Sequence, residues 1–174
     1  MTGEIHIRAA TSQEYATLGE LMTRAYIALD GFPKPDEQPA YYERLANIGK
    51  LAEKPATTLL VAVTDNDELM GGCVYVNDMS QYRHKGFVTT LTDTSGMRLL
   101  AVDEKFRGKG VGKALTHACM QRARDAGHAQ FVLHTTRAMQ DAWAMYEKMG
   151  FARAEELDIA ADGWEIFGFR MPLD

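Results

Sequence analysis

The spacing of apolar residues changes several times along the chain, and each change predicts a new strand or helix. Ile5, Ile7 and Ala9 alternate with other residues, which is the period of a β-strand. Apolar positions at helical spacing follow, and they begin after Thr11-Ser12-Gln13-Glu14, which has the form of a capping box. This first helix is expected to end before the proline-rich segment of residues 33–39.

The remainder of the chain continues to alternate between strand and helix patterns. Strands are expected at residues 57–63, 69–76, 87–91, 97–102, 131–135 and 166–171, and helices at about residues 40–52, 111–126 and 142–150. No repeat, low-complexity tract or long linker interrupts this order. Residues 4–174 are therefore expected to form a single α+β (α/β) domain.

Three alternating glycines, Gly108, Gly110 and Gly112, connect one predicted strand to the start of a predicted helix. Glycine permits tight turns and close backbone approach to a ligand, and the first N–H groups of a helix attract anions. Four cationic side chains and no acidic one lie between residues 105 and 113, although the chain carries a net charge of −5. This segment is therefore expected to hold phosphate groups.

Two common types of phosphate-binding loop do not fit this spacing. A Walker A loop has a glycine five positions before its Gly-Lys pair and a hydroxyl residue after it, whereas Arg107 and Ala114 stand at these positions. A dinucleotide-binding fingerprint has the pattern G-x-G-x-x-G, whereas these glycines follow G-x-G-x-G. Neither a Walker-type ATP site nor an NAD site is expected.

The loop resembles the acyl-CoA loop of the GNAT N-acetyltransferases, in which Arg/Gln-x-x-Gly-x-Gly/Ala follows a strand that ends in Ala-Val-Asp. Arg107, Gly110 and Gly112 match this pattern, and they follow Ala101-Val102-Asp103. Residues 142–151 are similar to a second block of the family, A-x-x-x-Tyr-Glu-Lys-x-Gly-Phe. The resemblance covers essentially the whole chain in element order, and its motifs lie between about residues 98 and 151.

This resemblance implies a mixed, mostly antiparallel central sheet flanked by helices, with a V-shaped splay between the fourth and fifth strands. The pantetheine arm of acetyl-CoA would lie in the splay, where a backbone N–H group would stabilise the oxyanion. Tyr146 corresponds to the tyrosine that protonates or hydrogen-bonds the departing CoA thiolate. The resemblance assigns the following residues to cofactor binding: Leu100, Ala101, Val102, Arg107, Gly108, Lys109, Gly110, Val111, Gly112 and Lys113.

Two positions depart from the family pattern. Many members have a glutamate two residues before the arginine of the fourth strand, and this position is Gly96, beside Arg98. Many also have an asparagine that contacts CoA seven residues before the tyrosine, and Met139 stands there. The general base is therefore not identified by resemblance.

The proton acceptor and the acceptor pocket are predicted only in outline. Asp93, His134 or a water molecule could accept the proton that an amine must lose before it attacks. The acceptor pocket is expected to form from residues 30–42 and 77–93. Three aromatic residues near this pocket are expected to belong mainly to the core: Tyr26, Phe32 and Tyr41.

Composition excludes several classes of function. The 174 residues are 46% hydrophobic and 25% charged, as in ordinary globular proteins, and a pI near 5.5 argues against non-specific nucleic-acid binding. No signal peptide or membrane span is recognised, so a cytoplasmic location is expected. The five histidines lack metal-ligand spacing, so no metal is expected, and Cys73 and Cys119 are expected to be buried thiols.

The sequence and its resemblance predict an N-acetyltransferase that moves an acetyl group from acetyl-CoA to a primary amine by direct attack in a ternary complex. Acetyl-CoA is the expected cosubstrate, and a small-molecule or peptide amine is the expected partner, with no nucleic acid or membrane. A monomer or a homodimer is expected. A noncatalytic acyl-CoA-binding sensor of the same fold and a nucleotide-binding regulatory module are alternative functions.

Overall fold

A computed structural model of the protein describes residues 3–83, 85–161 and 163–174. The predicted acceptor segment, residues 77–93, includes His84, which lies outside the described residues. The strands are β1 (His6–Ala9), β2 (Thr57–Val63), β3 (Leu69–Val76), β4 (Thr94–Val102), β5 (Gln130–Thr135), β6 (Ala152–Arg153), β7 (Ile159–Ala161) and β8 (Trp164–Pro172). The α-helices are α1 (Tyr15–Ile27), α2 (Pro39–Ala46), α3 (Val111–Asp125) and α4 (Gln140–Met149).

The strands form a mixed sheet in the order β1-β2-β3-β4-β5-β8-β6, and β7 pairs with β8. β4 and β5 run parallel, and the other pairs of neighbouring strands are antiparallel. The parallel pair is possible because α3 crosses over between β4 and β5. This topology confirms the predicted fold class.

Both faces of the sheet are covered by helices. In β2, Leu59, Val61 and Val63 pack in a cluster with residues of α1 and α2. The alternate residues, Leu60 and Ala62, pack in a second cluster with residues of α3 and α4. Because successive side chains of a strand point to opposite faces, a strand buried on both sides has a continuous apolar run.

Two predicted elements differ in the structure. The predicted strand at residues 87–91 is a 3₁₀-helix, Phe87–Thr90, in which the Thr89 and Thr90 hydroxyls donate to backbone carbonyls within the turn. The predicted helix at residues 40–52 is divided at Asn47, whose side-chain amide donates to the Glu43 carbonyl. In both places a short polar side chain bonds to the local backbone and competes with regular structure.

The structure also bears on two further expectations, that the cysteines are buried thiols and that the chain has no membrane span. Cys73 on β3 and Cys119 on α3 are free and buried, with their Sγ atoms 3.6 Å apart, which confirms the prediction of buried thiols. In the part of the chain that the structure describes, no helix combines the length and apolarity that a membrane crossing requires.

The contact between α1 and α2 depends on Gly19. A Cβ atom at this position would lie 2.4 Å from the carbonyl oxygen of Ala46, so the two backbones touch. Gly19→Ala is therefore expected to lower the free energy of unfolding by about 1–3 kcal/mol, although alanine normally favours a helix over glycine. Urea unfolding measures this change.

A matched control is Gly112→Ala on α3, measured without acetyl-CoA. An added Cβ there would make only ordinary contacts, the nearest 3.6 Å from the Met145 sulfur. This variant should be as stable as the parent or more stable. Equal stabilities for the two variants would contradict the steric role of Gly19.

Candidate active site

β4 and β5 pair over only the first half of β4. The paired residues are Thr94 to Met97 of β4 and Gln130 to Leu133 of β5. Beyond Met97 a bulge places Leu99 and Leu100 opposite the single residue Cys73 of β3, and Leu99 adopts a left-handed φ of 56°. The two strands separate from this point, which produces the predicted splay.

A cavity of about 120 Å³ opens where the strands separate. Its walls include Leu99 and Leu100 from β4, His134 and Thr135 from β5, and Ala142 and Tyr146 from α4. The structure thus brings two predicted site residues, Leu100 and Tyr146, to one cavity. Ala101 and Val102 lead from it along β4 to the glycine loop. The cavity has room for a small molecule or the end of a chain.

The Tyr146 side chain is fixed by aromatic packing. Its ring centroid lies 5.6 Å from that of Phe151 and 6.4 Å from that of Phe169. Only 3% of the residue is exposed, and this burial raises the pKa of the phenol well above its usual value. The hydroxyl therefore stays protonated, and it forms no hydrogen bond with any of the described residues. It is available as a donor to a ligand in the cavity.

The glycine loop has the backbone conformation of an anion-binding turn. Gly108 and Gly110 have φ values of 74° and 84°, which glycine adopts without strain, and Gly110 is the N-cap of α3. An added Cβ at either residue would meet nothing within 4 Å, so the loop faces open space. Gly112 is already helical and makes only ordinary contacts. The α3 N-terminus therefore points its first N–H groups into an accessible site.

The charges of the loop are not equivalent. Lys105 forms an ion pair with Glu68, so its charge is compensated within the protein. Arg107, Lys109 and Lys113 form no ion pair with the residues that the structure describes. Lys109 lies over the Phe106 ring at 5.5 Å. Three cationic side chains thus remain available beside the helix N-terminus.

Tyr82 explains why residue 96 is glycine. A Cβ at Gly96 would lie 2.8 Å from Cε2 of the Tyr82 ring and 3.0 Å from the Val132 carbonyl oxygen. The space that a glutamate side chain would need is filled by this aromatic ring. The absence of a carboxylate at this position is therefore built into the packing of the site.

Tyr82 and His134 form a hydrogen-bonded pair in the cavity wall. His134 Nε2 lies 2.8 Å from the Leu157 carbonyl oxygen, which can only accept, so Nε2 carries the proton. Nδ1 is then the acceptor, and the Tyr82 hydroxyl, 2.8 Å away, donates to it. Both nitrogens of the neutral imidazole are occupied, and neither is free to contact a substrate directly.

The candidate proton acceptors differ in position. Burial, with a contribution from the nearby charges of Arg83 and Arg98, lowers the pKa of His134 to about 4. Asp93 is exposed at the start of β4, seven residues before Leu100 and thus about 23 Å away along the strand. The structure therefore keeps Asp93 out of the cavity and holds His134 there in its neutral form.

Aromatic residues and Arg98 form another part of the cavity wall. The rings of Phe32, Tyr41 and Trp164 lie 5.0–5.7 Å apart, and the Tyr26 hydroxyl donates to the Leu100 carbonyl at 3.0 Å. Phe32 and Tyr41 come from the predicted acceptor segment 30–42. Tyr26, Phe32 and Tyr41 belong to the core, as predicted, and they also line the cavity with Trp164.

Sequence reasoning missed three residues of this wall. No role was assigned to Arg98 from the sequence. An arginine within the apolar run Gly96-Met97-Arg98-Leu99-Leu100 nevertheless indicates a functional residue, because arginine is rarely buried without a reason. Tyr82 lies in a segment without a clear period, and Trp164 follows a turn. Neither of these two positions has a sequence pattern that points to the cavity.

One group of metal-type side chains occurs elsewhere on the surface. Among the described residues, Glu4, His6 and Asp65 bring their ligand atoms within 4.8 Å of one another, and all three are exposed. The ion pair between His6 and Asp65 accounts for the proximity of these two residues.

The buried His134 is expected to make stability depend on pH. Its pKa is about 4 in the folded protein and about 6.5 when unfolded, so the unfolded state binds the proton more readily. This contribution is fully present above pH 6.5 and is lost as the pH falls toward 4, by up to about 3 kcal/mol. Urea unfolding between pH 7 and 5 measures it.

The matched variants are His134→Gln and His117→Gln, the second of which changes an exposed histidine on α3. His134→Gln should flatten the loss of stability between pH 7 and 5, whereas His117→Gln should leave it unchanged. The carboxylate of Glu14, with its pKa lowered to about 2 by Arg8, titrates below this window. A parental slope in His134→Gln would contradict the assignment.

Comparisons with known proteins agree with this geometry. A sequence model described as the acetyltransferase (GNAT) family matches residues 19–151. N-alpha-acetyltransferase 30 of Schizosaccharomyces pombe is 32% identical over 93 residues, which are 53% of this chain and 57% of the relative. The chain spans between about a quarter and somewhat more than half of the length of the curated relatives that it matches.

Solved structures share the fold at low sequence identity. An acetyltransferase of the GNAT family from Staphylococcus aureus Mu50 has a TM-score of 0.74 at 16% identity and covers 98% of this chain and 100% of its own. The PaiA N-acetyltransferase from Thermoplasma acidophilum, in complex with coenzyme A, has a TM-score of 0.73 at 16% identity, with 97% and 99% covered. Because the family model spans most of the chain, the protein belongs to the acetyltransferase (GNAT) family.

Proposed function

We propose that the protein transfers an acetyl group from acetyl-CoA to a primary amine by direct attack within a ternary complex. The observation that supports this proposal most is the second half of β4, which does not pair with β5. It joins the cavity that contains the Tyr146 hydroxyl, which bonds to none of the described residues, to a glycine loop at a helix N-terminus. Acetyl transfer itself is the activity of the family, and the amine acceptor is the added proposal.

The glycine loop and β4 would bind different parts of acetyl-CoA. Backbone N–H groups from Arg107 to Gly112 would hold the pyrophosphate, with charge from Lys109 and Lys113 and from the dipole of α3. The residues Leu100, Ala101 and Val102 would face the pantetheine arm along the side of β4 that does not pair with β5. Two structural neighbours were solved with coenzyme A or acetyl-CoA, including yncA from Salmonella typhimurium, and they support this cosubstrate.

Tyr146 would donate a hydrogen bond to the sulfur that leaves when the thioester bond breaks. Since its pKa lies well above that of a thiol, the phenol stays protonated and stabilises the developing thiolate. A backbone N–H near Leu100 or Ala101 would stabilise the oxyanion. These donors act on charge that appears only during the reaction.

The amine must lose its proton before it attacks. At pH 7 this costs roughly 4 kcal/mol for an amine of pKa about 10. His134 is a poor acceptor, because its pKa is lowered to about 4 and its free lone pair already binds Tyr82. We therefore infer that water removes the proton and that kcat/KM rises with pH toward the pKa of the amine.

The glycine loop is tested by Gly110→Asp. An aspartate at this N-cap places a negative charge where the phosphates would bind, so acetyl-CoA affinity should fall by at least 100-fold in calorimetry. The control is Gly127→Asp at the opposite end of α3. Gly127 has a φ of 81° and equally open surroundings, so the backbone strain is matched. Unchanged affinity in Gly110→Asp, or an equal loss in both variants, would refute the phosphate assignment.

The donor role is tested by Tyr146→Phe. This change keeps the buried ring and removes the hydroxyl, so kcat should fall by about 10- to 1000-fold with little change in acetyl-CoA affinity. The control is Tyr75→Phe, which removes a hydroxyl that donates to Asn77 outside the cavity. Steady-state kinetics with any accepted amine measures both. A kcat within a factor of two of the parent would make Tyr146 a structural residue.

A further inference from the structure

The cavity wall contains a cationic side chain for which none of the described residues supplies a counter-charge. Arg98 is largely covered by its neighbours, and it forms no ion pair or side-chain hydrogen bond with residues 3–83, 85–161 or 163–174. Its nearest aromatic contact is the Tyr82 ring, 5.6 Å from the guanidinium carbon. A guanidinium has five N–H donors, so most of its bonding capacity is unused.

The surroundings of Arg98 are cationic rather than acidic. Burial lowers its pKa, and Arg44 and Arg83 lower it further by repulsion. Among the described residues that line the cavity, Arg83 and Arg98 carry a positive charge and none carries a carboxylate. Collecting like charges around a covered cation is unfavourable unless an anion joins them.

The phosphates of acetyl-CoA are not the anion that Arg98 would bind. Arg98 lies at the cavity end of the unpaired part of β4, and the strand runs four residues further to Val102 before the loop begins. Because of the bulge, the partners of Arg98 and Val102 on β3 are three residues apart, which is about 10 Å along the strand. The phosphate site has its own cations in Arg107, Lys109 and Lys113.

Arg98 is close to where an amine would react. It lies two residues before Leu100, or about 7 Å along the strand, and it shares the cavity with Tyr146. Thr136, also in the wall, has a buried hydroxyl without a partner in the described chain. An anionic group and an amine on the same small molecule would therefore reach Arg98 and the reaction point together.

Part of the cavity wall suits an apolar group. Phe32, Tyr41 and Trp164 present ring faces and edges that are fixed by their mutual packing. Such a surface excludes water and stabilises an aliphatic or aromatic side chain.

We propose that the acceptor is a free amino acid with an apolar side chain, whose carboxylate binds Arg98 and whose side chain packs on the aromatic wall. A guanidinium binds a carboxylate through two parallel hydrogen bonds, which would orient the amine as well as hold it. This inference rests on the proposed amine acetyltransferase activity and names its substrate class.

The test compares amino acids with amines that lack only the carboxylate. L-Phenylalanine, L-leucine and L-methionine are each assayed with acetyl-CoA against their decarboxylated amines, with rates normalised to the free-amine fraction. At least one amino acid should exceed its amine by about 10- to 100-fold in kcat/KM, which is the usual effect of a charge-assisted pair. Equal or better rates for all the amines, or acetylation only of C-terminally amidated peptides, would overturn the proposal.

The Arg98→Gln variant tests whether Arg98 is the residue that produces the preference for amino acids over their amines. In this variant the ratio of kcat/KM for the amino acid to kcat/KM for its decarboxylated amine should fall toward one, mainly through a higher KM for the amino acid. The control is Arg122→Gln, which removes an exposed charge from α3. A preference that survives in Arg98→Gln would assign the carboxylate to another residue and refute the role of Arg98.

The outcomes separate this inference from the proposed function. If acetyl-CoA binds but no amine or amino acid is acetylated, the acetyltransferase proposal fails. If amines are acetylated without regard to a carboxylate, the function stands and the inference about the substrate is wrong. Should Arg98→Gln fail to fold, the comparison of substrates with the parent protein decides alone.

Discussion

The open edge of β4 beyond Met97 is the constraint on which the site depends. A strand inside a sheet normally has bonded neighbours on both sides, and a buried backbone group without a partner costs about 1–3 kcal/mol. The bulge at Leu99 turns β4 away from β5, and the Tyr26 hydroxyl satisfies the Leu100 carbonyl. The rest of the edge suits a ligand with its own amide groups, as the pantetheine arm has.

The charges of the protein are arranged around this edge. The chain is acidic overall, with a net charge of −5. Both ends of the part of β4 that does not pair with β5 are nevertheless positive. Arg107, Lys109 and Lys113 surround one end, and Arg98 lies at the other. A negative molecule is therefore favoured at both ends of this part of β4, although the net charge of the chain is negative.

Local patterns predicted those parts of the molecule that local interactions determine. The apolar runs at residues 57–63 and 69–76 are the strands that the structure shows, and α3 begins directly after Gly110. Phe87–Thr90 was predicted wrongly, because threonine hydroxyls bond to the turn. The contacts of Tyr82 with Gly96 and His134 join residues 14 to 52 positions apart, which no periodicity in a single sequence reveals.

The close packing of Tyr82 on Gly96 also restricts how this site can change in evolution. A carboxylate cannot appear at position 96 while the ring occupies its space, and a smaller residue at position 82 would leave the imidazole of His134 without its donor. The two positions are therefore coupled, and their substitutions should be strongly non-additive. Relatives with glutamate at position 96 are expected to have a small residue at position 82, and either single change alone should lower stability through a clash or an unsatisfied imidazole.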